Sequence, residues 1–203
     1  MKSTVTVYKT DGYNLQELKK IAADALSGFN FKGKKVLLKP NMLQAHLPEE
    51  GVTTHPIVVE AAASVIIRRG GKCAIGDSPS GHGRENAEKS AEKSGFMEVC
   101  RRLNIKFEFF DGAELRKIKI PEGQVYKKIY LPESFFTYDF ILNLPKLKTH
   151  SLTVFTLGVK NMMGVVPGLG KVDFHVKAAH PVNFASAICD LYSVVTPDFT
   201  IVD

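Results

Sequence analysis

Three clusters of polar residues follow apolar runs of the kind that form buried strands. The clusters are Lys39-Pro40-Asn41, Gly76-Asp77-Ser78-Pro79-Ser80-Gly81 and Pro145-Lys146-Leu147-Lys148-Thr149-His150. Lysine neutralises anions, amide and hydroxyl groups orient ligands, and a carboxylate or an imidazole can transfer protons. In a parallel sheet the carboxyl ends of the strands meet at one edge, which favours a shared site over the alternative of ordinary solvated loops.

The clusters are biased towards positive charge. The basic residues at or near them are Lys39, Lys146, Lys148, His150, Lys160, Lys171 and His175, and the main acidic residues nearby are Asp77 and Asp173. A cleft of this sign attracts phosphate or carboxylate ligands. A single lysine more often only solvates the surface, so the prediction of an anion site depends on the group as a whole.

We therefore predict an enzyme-like domain that binds an anionic small molecule. The residues predicted to bind the ligand are Lys39, Asn41, Ser78, Lys146, Lys148, Thr149, Lys160 and Asn161. Asp77 and His150 are the acid–base candidates, because their pKa values are the most easily tuned towards neutrality. A binding domain without catalysis is the alternative, and the sequence does not name a reaction.

Glycine-rich segments depart from the known phosphate-binding motifs. The segment from Gly76 to Gly81 has the spacing of a P-loop, but His82 stands in place of the lysine. The segment from Gly164 to Gly170 has a longer gap, and Val172 replaces the serine or threonine. The run 81–86 resembles a dinucleotide fingerprint without its third glycine, yet this loop could still present N–H groups to an anion at the start of the next helix.

Histidine and cysteine patterns indicate no metal site. No histidine pair has zinc or metalloprotease spacing, and no serine lies in a nucleophile elbow. A metal held by Asp77 with His150 or His175 from separate loops stays open as an alternative.

The cysteines and the N-terminus indicate the compartment. The cysteines Cys73, Cys100 and Cys189 are odd in number and scattered, which predicts reduced thiols, and the N-terminus lacks the apolar core of a signal peptide. We expect a cytoplasmic protein.

Alternating strand and helix patterns must position these clusters. Strands are predicted at 5–8, 35–39, 72–77, 105–110, 138–144 and 199–202, and helices at 15–26, 57–69, 84–94, 96–103 and 182–194. This order predicts an α/β fold: a mixed, mostly parallel sheet with helices on both faces and an antiparallel hairpin excursion at 115–131. The stretch 145–180 lacks clear periodicity, which predicts a long functional loop.

Composition limits the class of protein. The 203 residues carry a net charge of +6, and 44% are hydrophobic, which excludes disorder and favours a single folded domain. The sequence has no apolar run long enough to span a membrane, and its basic residues are too dispersed to favour nucleic-acid binding. The chain ends on an apolar strand, from which we expect that the native protein extends past Asp203.

Several segments together resemble the family catalogued as domain of unknown function 362. They are Val36-Leu37-Leu38-Lys39-Pro40-Asn41, Thr53-Thr54-His55-Pro56, Ile75-Gly76-Asp77-Ser78-Pro79, Leu144-Pro145-Lys146-Leu147-Lys148-Thr149-His150, Gly158-Val159-Lys160-Asn161-Met162-Met163-Gly164, Asp190-Leu191 and Ile201-Val202-Asp203. Members are commonly described as iron–sulfur-cluster-binding proteins and continue past the last segment. This sequence lacks a clustered cysteine run, so the cofactor is unassigned. The resemblance implies, as an alternative function, a redox accessory protein whose ferredoxin-like module lies on a missing segment or a partner.

Overall fold

The structure is a computed structural model that describes residues 4–81, 83–178 and 180–203. Its strands are β1 (Lys35–Pro40), β2 (Lys72–Asp77), β3 (Lys106–Phe109), β4 (Leu115–Lys119), β5 (Lys128–Pro132), β6 (Phe140–Leu144), β7 (Lys148–His150), β8 (Val154–Thr156) and β9 (Phe199–Thr200). Its helices are α1 (Leu15–Ala25), α2 (Pro56–Arg68), α3 (Arg84–Lys93), α4 (Phe96–Leu103), α5 (Gly158–Asn161), α6 (Leu169–Lys177) and α7 (Pro181–Tyr192).

A five-stranded sheet forms the centre, with its strands in the order β3-β2-β1-β6-β9 and every neighbouring pair parallel. Strands β4 and β5 form a separate antiparallel pair, as do β7 and β8. The predicted mixed α/β fold is therefore confirmed, with a hairpin in the region where the sequence indicated one.

Side chains of β1 alternate between two apolar layers. Val36 and Leu38 pack with residues of α1, α2 and α4, whereas Leu37 packs on the opposite face with residues of α7 and of the β4–β5 hairpin. A strand that is buried on both faces has apolar residues at consecutive positions. This explains why apolar and polar residues do not alternate along β1.

Capping groups fix the helix starts at the predicted positions. The Oδ1 atom of Asn14 accepts hydrogen bonds from the N–H groups of Gln16 and Glu17 at 3.0 and 3.1 Å, which begins α1. The Nδ1 atom of His55 accepts from the N–H of Ile57 at 3.3 Å, and a proline follows at the first position of α2. This histidine therefore caps the start of α2.

The sheet order places a switch point between β1 and β6. The chain moves from β1 outward through β2 and β3 on one side, and later adds β6 and β9 on the other. Lys39 pairs in register with Asn143, so both strands end at the same level. Ligands of open α/β sheets bind in the crevice at the carboxyl ends beside such a point.

Two sequence predictions were wrong. Residues 5–8 form no strand, and Val5 and Val7 are 85% and 89% exposed, because no strand in the described ranges pairs with this segment. The stretch 145–180 is not one irregular loop, since it contains β7, β8, α5 and α6. Elements of three or four residues, such as β7 and α5, are too short to produce a periodic hydrophobic pattern.

None of the helices in the described ranges is long and apolar enough to cross a membrane.

Candidate functional site

A buried ion pair lies at the centre of the candidate site. Lys39 Nζ lies 3.0 Å from Asp77 Oδ1, and the two side chains are 0% and 2% exposed. The carboxylate also accepts the N–H of Met42 at 2.9 Å and that of Ser78 at 2.7 Å. The ammonium donates to the carbonyl of Pro40 at 2.9 Å. The pair therefore ties the end of β1 to the end of β2.

Gly164 packs directly on this ion pair. A Cβ atom on this residue would lie 2.1 Å from Asp77 Oδ1 and 2.5 Å from Lys39 Nζ, closer than non-bonded atoms approach. Its carbonyl accepts the N–H of Ser78 at 3.0 Å. The turn that follows α5 thus requires glycine at this position for the chain to cover the pair.

An asparagine network connects β1 with β6 and α5. The amide of Asn161 donates to the carbonyl of Lys39 at 3.0 Å and to Asn143 Oδ1 at 2.8 Å. Asn41 donates to Asn161 Oδ1 at 3.0 Å, and Lys148 Nζ donates to Asn41 Oδ1 at 2.7 Å. Asn41 and Asn161 were predicted to orient a ligand directly. Their contacts fix the position of the Lys148 ammonium, Asn41 directly and Asn161 through Asn41.

Lys171 reaches the second cluster from α6. Its Nζ donates to the hydroxyl of Ser78 and to the carbonyl of Pro79, both at 2.7 Å, and also contacts the Ser78 carbonyl. These acceptors hold the ammonium at the loop that follows β2. Ser78 itself is buried and serves as a partner of this lysine.

Lys160 differs from the other lysines in its surroundings. Its Nζ lies 3.4 Å from the Sδ atom of Met163 and 5.6 Å from the centre of the Phe184 ring. Within the ranges that the structure describes, it has neither a carboxylate partner nor a hydrogen bond to an oxygen atom.

A cavity of about 560 Å³, here called the polar cavity, lies above these groups. Its lining includes the predicted residues Asn41, Asp77, Ser78, Lys148, Thr149, His150, Lys160 and Asn161, together with Thr156, Gly164 and Lys171. Thr156 is 3% exposed, and no hydrogen-bond partner for its Oγ1 exists among the described residues. A buried hydroxyl without a partner is costly, so this group is available to a ligand.

The lining carries an excess of positive charge. Lys148, Lys160 and Lys171, here called the lysine cluster, face the polar cavity, and Asp77 is the acidic residue among the described lining groups. Burial lowers the pKa of each of these lysines to about 8, and the neighbouring ammonium groups add to the effect for Lys148. Burial also lowers the pKa of Lys39 and raises that of Asp77, while each charge partly offsets the shift of the other.

His150 and Thr149 line the polar cavity from β7. The Nδ1 atom of His150 accepts the N–H groups of Leu152 and Thr153 at 3.1 and 3.3 Å. An acceptor Nδ1 places the proton of the neutral ring on Nε2. His150 and Asp77 thus border the same cavity, as the acid–base prediction requires, although both Asp77 oxygens already accept hydrogen bonds.

Two predicted ligand residues do not line the polar cavity. Lys39 lies beneath it, fully buried against Asp77. Lys146 lies outside the polar cavity, and its Nζ is 2.8 Å from the Tyr13 hydroxyl oxygen and 3.3 Å from Asp203 Oδ1. Sequence position alone cannot tell which of Lys146 and Lys148 lines the cavity, since lysines close together after a strand can point in different directions. His82 and the side chain of His175 lie outside the described part of the chain.

A second cavity of about 460 Å³, here called the apolar cavity, lies beside the first. Its walls are mostly apolar, for example Phe155, Ile188 and Tyr192, and Lys160 lines both cavities. The polar cavity is the better candidate site, because polar groups from several strand ends converge on it.

Sequence reasoning missed Thr156 and Gly164 and left Lys171 without a role. The signal for Lys171 was present in the general positive charge near the strand ends. No sequence pattern pointed to Thr156, because its place at the site depends on its pairing with Lys148 across the β7–β8 hairpin.

Comparison with known proteins identifies relatives. The family described as Domain of unknown function (DUF362) matches residues 36–203. A thylakoid-associated protein of Synechocystis sp. is 32% identical over 179 residues, which is 88% of this chain. The chain spans about half of that relative, 54% of its length.

Proposed function

Because this chain belongs to the DUF362 family and has a cationic cavity at the switch point of its sheet, we propose that it binds an anionic small molecule. The ligand carries a phosphate or a carboxylate group. The polar cavity is large enough for a metabolite, and its residues come from segments within the part of the chain that matches the family.

The observation that carries this proposal is the charge of the polar cavity. Asp77 is already paired with Lys39, so it does not neutralise the lysine cluster. Three ammonium groups held in a partly buried cavity repel one another, and a bound anion relieves that repulsion. The neutral alternative would require all three lysines to lose their protons, which a pKa of about 8 does not allow at neutral pH.

The lining residues divide into two roles. Lys148 is fixed by two oxygen acceptors and can donate its remaining N–H group to the anion, whereas Lys171 directs its three N–H groups to the loop after β2 and contributes its positive charge. Lys39, Asp77 and Asn161 hold the strand ends in place beneath the cavity. Asp77 and His150 remain the acid–base candidates if the ligand is transformed, and the saturated contacts of Asp77 favour His150 as the group that meets it.

Calorimetric titration with inorganic phosphate and with citrate tests the proposal. We expect binding to the wild-type protein at low ionic strength. Lys148→Gln should weaken it about tenfold or more, since a hydrogen bond to a charged group contributes about 1.5–3 kcal/mol. Lys171→Gln should also weaken it, because the cavity loses a positive charge. Lys89→Gln, which changes an exposed lysine on α3, is the matched control and should bind as wild type. Equal affinities for all four proteins, or no binding at all, would contradict the proposal.

The state of the cysteine thiols is evidence about the cellular compartment of the protein. Cys73, Cys100 and Cys189 are free in the structure, and burial raises the pKa of Cys73 to about 12 and that of Cys100 to about 11. Unpaired thiols are typical of a reducing environment, which supports a cytoplasmic location for this chain.

A further inference from the structure

We propose that Lys160 is a nucleophile that forms an imine with an anionic aldehyde or ketone held in the polar cavity. The inference rests on the proposed function, because the lysine cluster supplies the anion site that brings the carbonyl group to Lys160. It goes beyond the proposed function because it names the class of ligand and gives Lys160 a role that Lys148 and Lys171 do not share.

The described residues place no oxygen acceptor beside the amine of Lys160. Lys148 and Lys171 each donate to at least two oxygen atoms, which favours their charged form. The described surroundings of Lys160 are instead the Met163 sulfur and the face of the Phe184 ring. A weakly solvated amine with no anionic partner loses its proton readily, and its lone pair is then free to attack.

Lys160 also lies where an anion bound in the polar cavity would bring a carbonyl group. Lys160 lines the polar cavity together with Lys148 and Lys171, so a phosphate or carboxylate bound by those two places the rest of the ligand within the same enclosed space. Neighbouring ammonium groups and an apolar environment are the two features that activate a lysine for imine formation. Thr156, whose buried Oγ1 lacks a described partner, faces the same cavity and can hydrogen-bond to the oxygen of the carbonyl group.

The reaction is balanced without a cofactor. The neutral amine of Lys160 adds to the carbonyl carbon to form a C–N bond, and the nitrogen loses two protons in total. The carbonyl oxygen takes up two protons and leaves as water when its bond to carbon breaks. The product is a C=N bond between Lys160 and the ligand, and no electrons are gained or lost.

Trapping with borohydride tests the inference. The probe is pyridoxal 5′-phosphate, and pyridoxal without the phosphate is the matched control compound. At about pH 7.5 a lysine of pKa about 8 is about a quarter neutral and an ordinary lysine about a thousandth neutral, so we expect Lys160 to be labelled at least tenfold faster than exposed Lys34 or Lys89. Peptide mass spectrometry after reduction locates the adduct.

The control variants separate this inference from the proposed function. Lys160→Arg keeps the positive charge but removes the amine, so it should lose the cavity adduct, whereas the exposed control Lys89→Gln should keep it. Phosphate binding together with an adduct on Lys148, Lys171 or surface lysines would overturn the role of Lys160 and leave the anion site standing. Equal labelling of Lys160 by pyridoxal and by pyridoxal 5′-phosphate would overturn the anionic ligand class. Failure of phosphate to bind the wild-type protein would overturn both.

Discussion

The ammonium of Lys39 and the carboxylate of Asp77 form an ion pair of 3.0 Å that is almost completely removed from solvent. The two residues end neighbouring strands of the sheet, and Gly164 closes over them. This pair is a structural element of the site, since it neutralises the one acidic group that lines the described part of the polar cavity.

Breaking this pair should strongly destabilise the protein. Asp77→Asn or Lys39→Met leaves an uncompensated buried charge, so each should lower the free energy of unfolding by about 3–5 kcal/mol. The double variant should lose less than the sum of the single losses, because the two groups interact directly. Urea denaturation of all four proteins without ligand measures the cycle. Strictly additive losses would show that the pair is not coupled.

Gly164→Ala should destabilise the protein by overpacking. The new methyl group would lie 2.1 Å from Asp77 Oδ1, so the turn must move away from the ion pair, at a cost of about 1–3 kcal/mol. Gly28→Ala is the matched control, because a Cβ atom at that position meets nothing within 4 Å. Thermal unfolding of both variants compares them. A Gly164→Ala protein as stable as Gly28→Ala would contradict the close packing.

Thr156→Val should separate stability from binding. The substitution removes a buried hydroxyl that has no partner among the described residues, so the unliganded protein should be as stable as wild type or more stable by about 1 kcal/mol. If the hydroxyl serves the ligand, phosphate or pyridoxal 5′-phosphate should bind more weakly. Calorimetry and urea denaturation provide the two measurements. A large loss of stability would instead assign the hydroxyl a structural role.

Anion binding should weaken as the pH rises through about 8. The three lysines have pKa values of about 8, so all are charged at about pH 6.5 and mostly neutral at about pH 9.5. Sulfate is the suitable probe, because its charge is constant over this range. We expect its affinity to fall at least about tenfold, since each lost charge removes a charge-assisted contact. A constant affinity would show that other groups bind the anion.

Much of the architecture could be predicted from local patterns. The apolar run before Pro40, the asparagine before α1 and the proline at the start of α2 each specify an element through its own residues. The exposed segment 5–8 shows the limit of such reasoning. An alternating pattern makes a strand only when another strand is available to pair with it, and that depends on the rest of the chain.

The candidate site was only partly predictable. Strand ends in a parallel sheet must meet, so the convergence of Asn41, Ser78 and Lys148 on one cavity follows from the order of the elements. The direction of each lysine does not follow, because it depends on partners that are distant in sequence. Lys146 lies against Asp203, whereas Lys148 lies against Asn41.

The sequence by itself determined the α/β class, the membership of the family and the concentration of positive charge near the strand ends, because these depend on residue type and local spacing. Only the tertiary structure decided which lysines face the cavity and which one has no oxygen partner among the described residues. Lys148 meets Asn41 across 107 residues, and Lys171 meets Ser78 across 93 residues. Contacts between residues so far apart in the sequence form only when the packed sheet brings the segments together, so no local pattern can encode them.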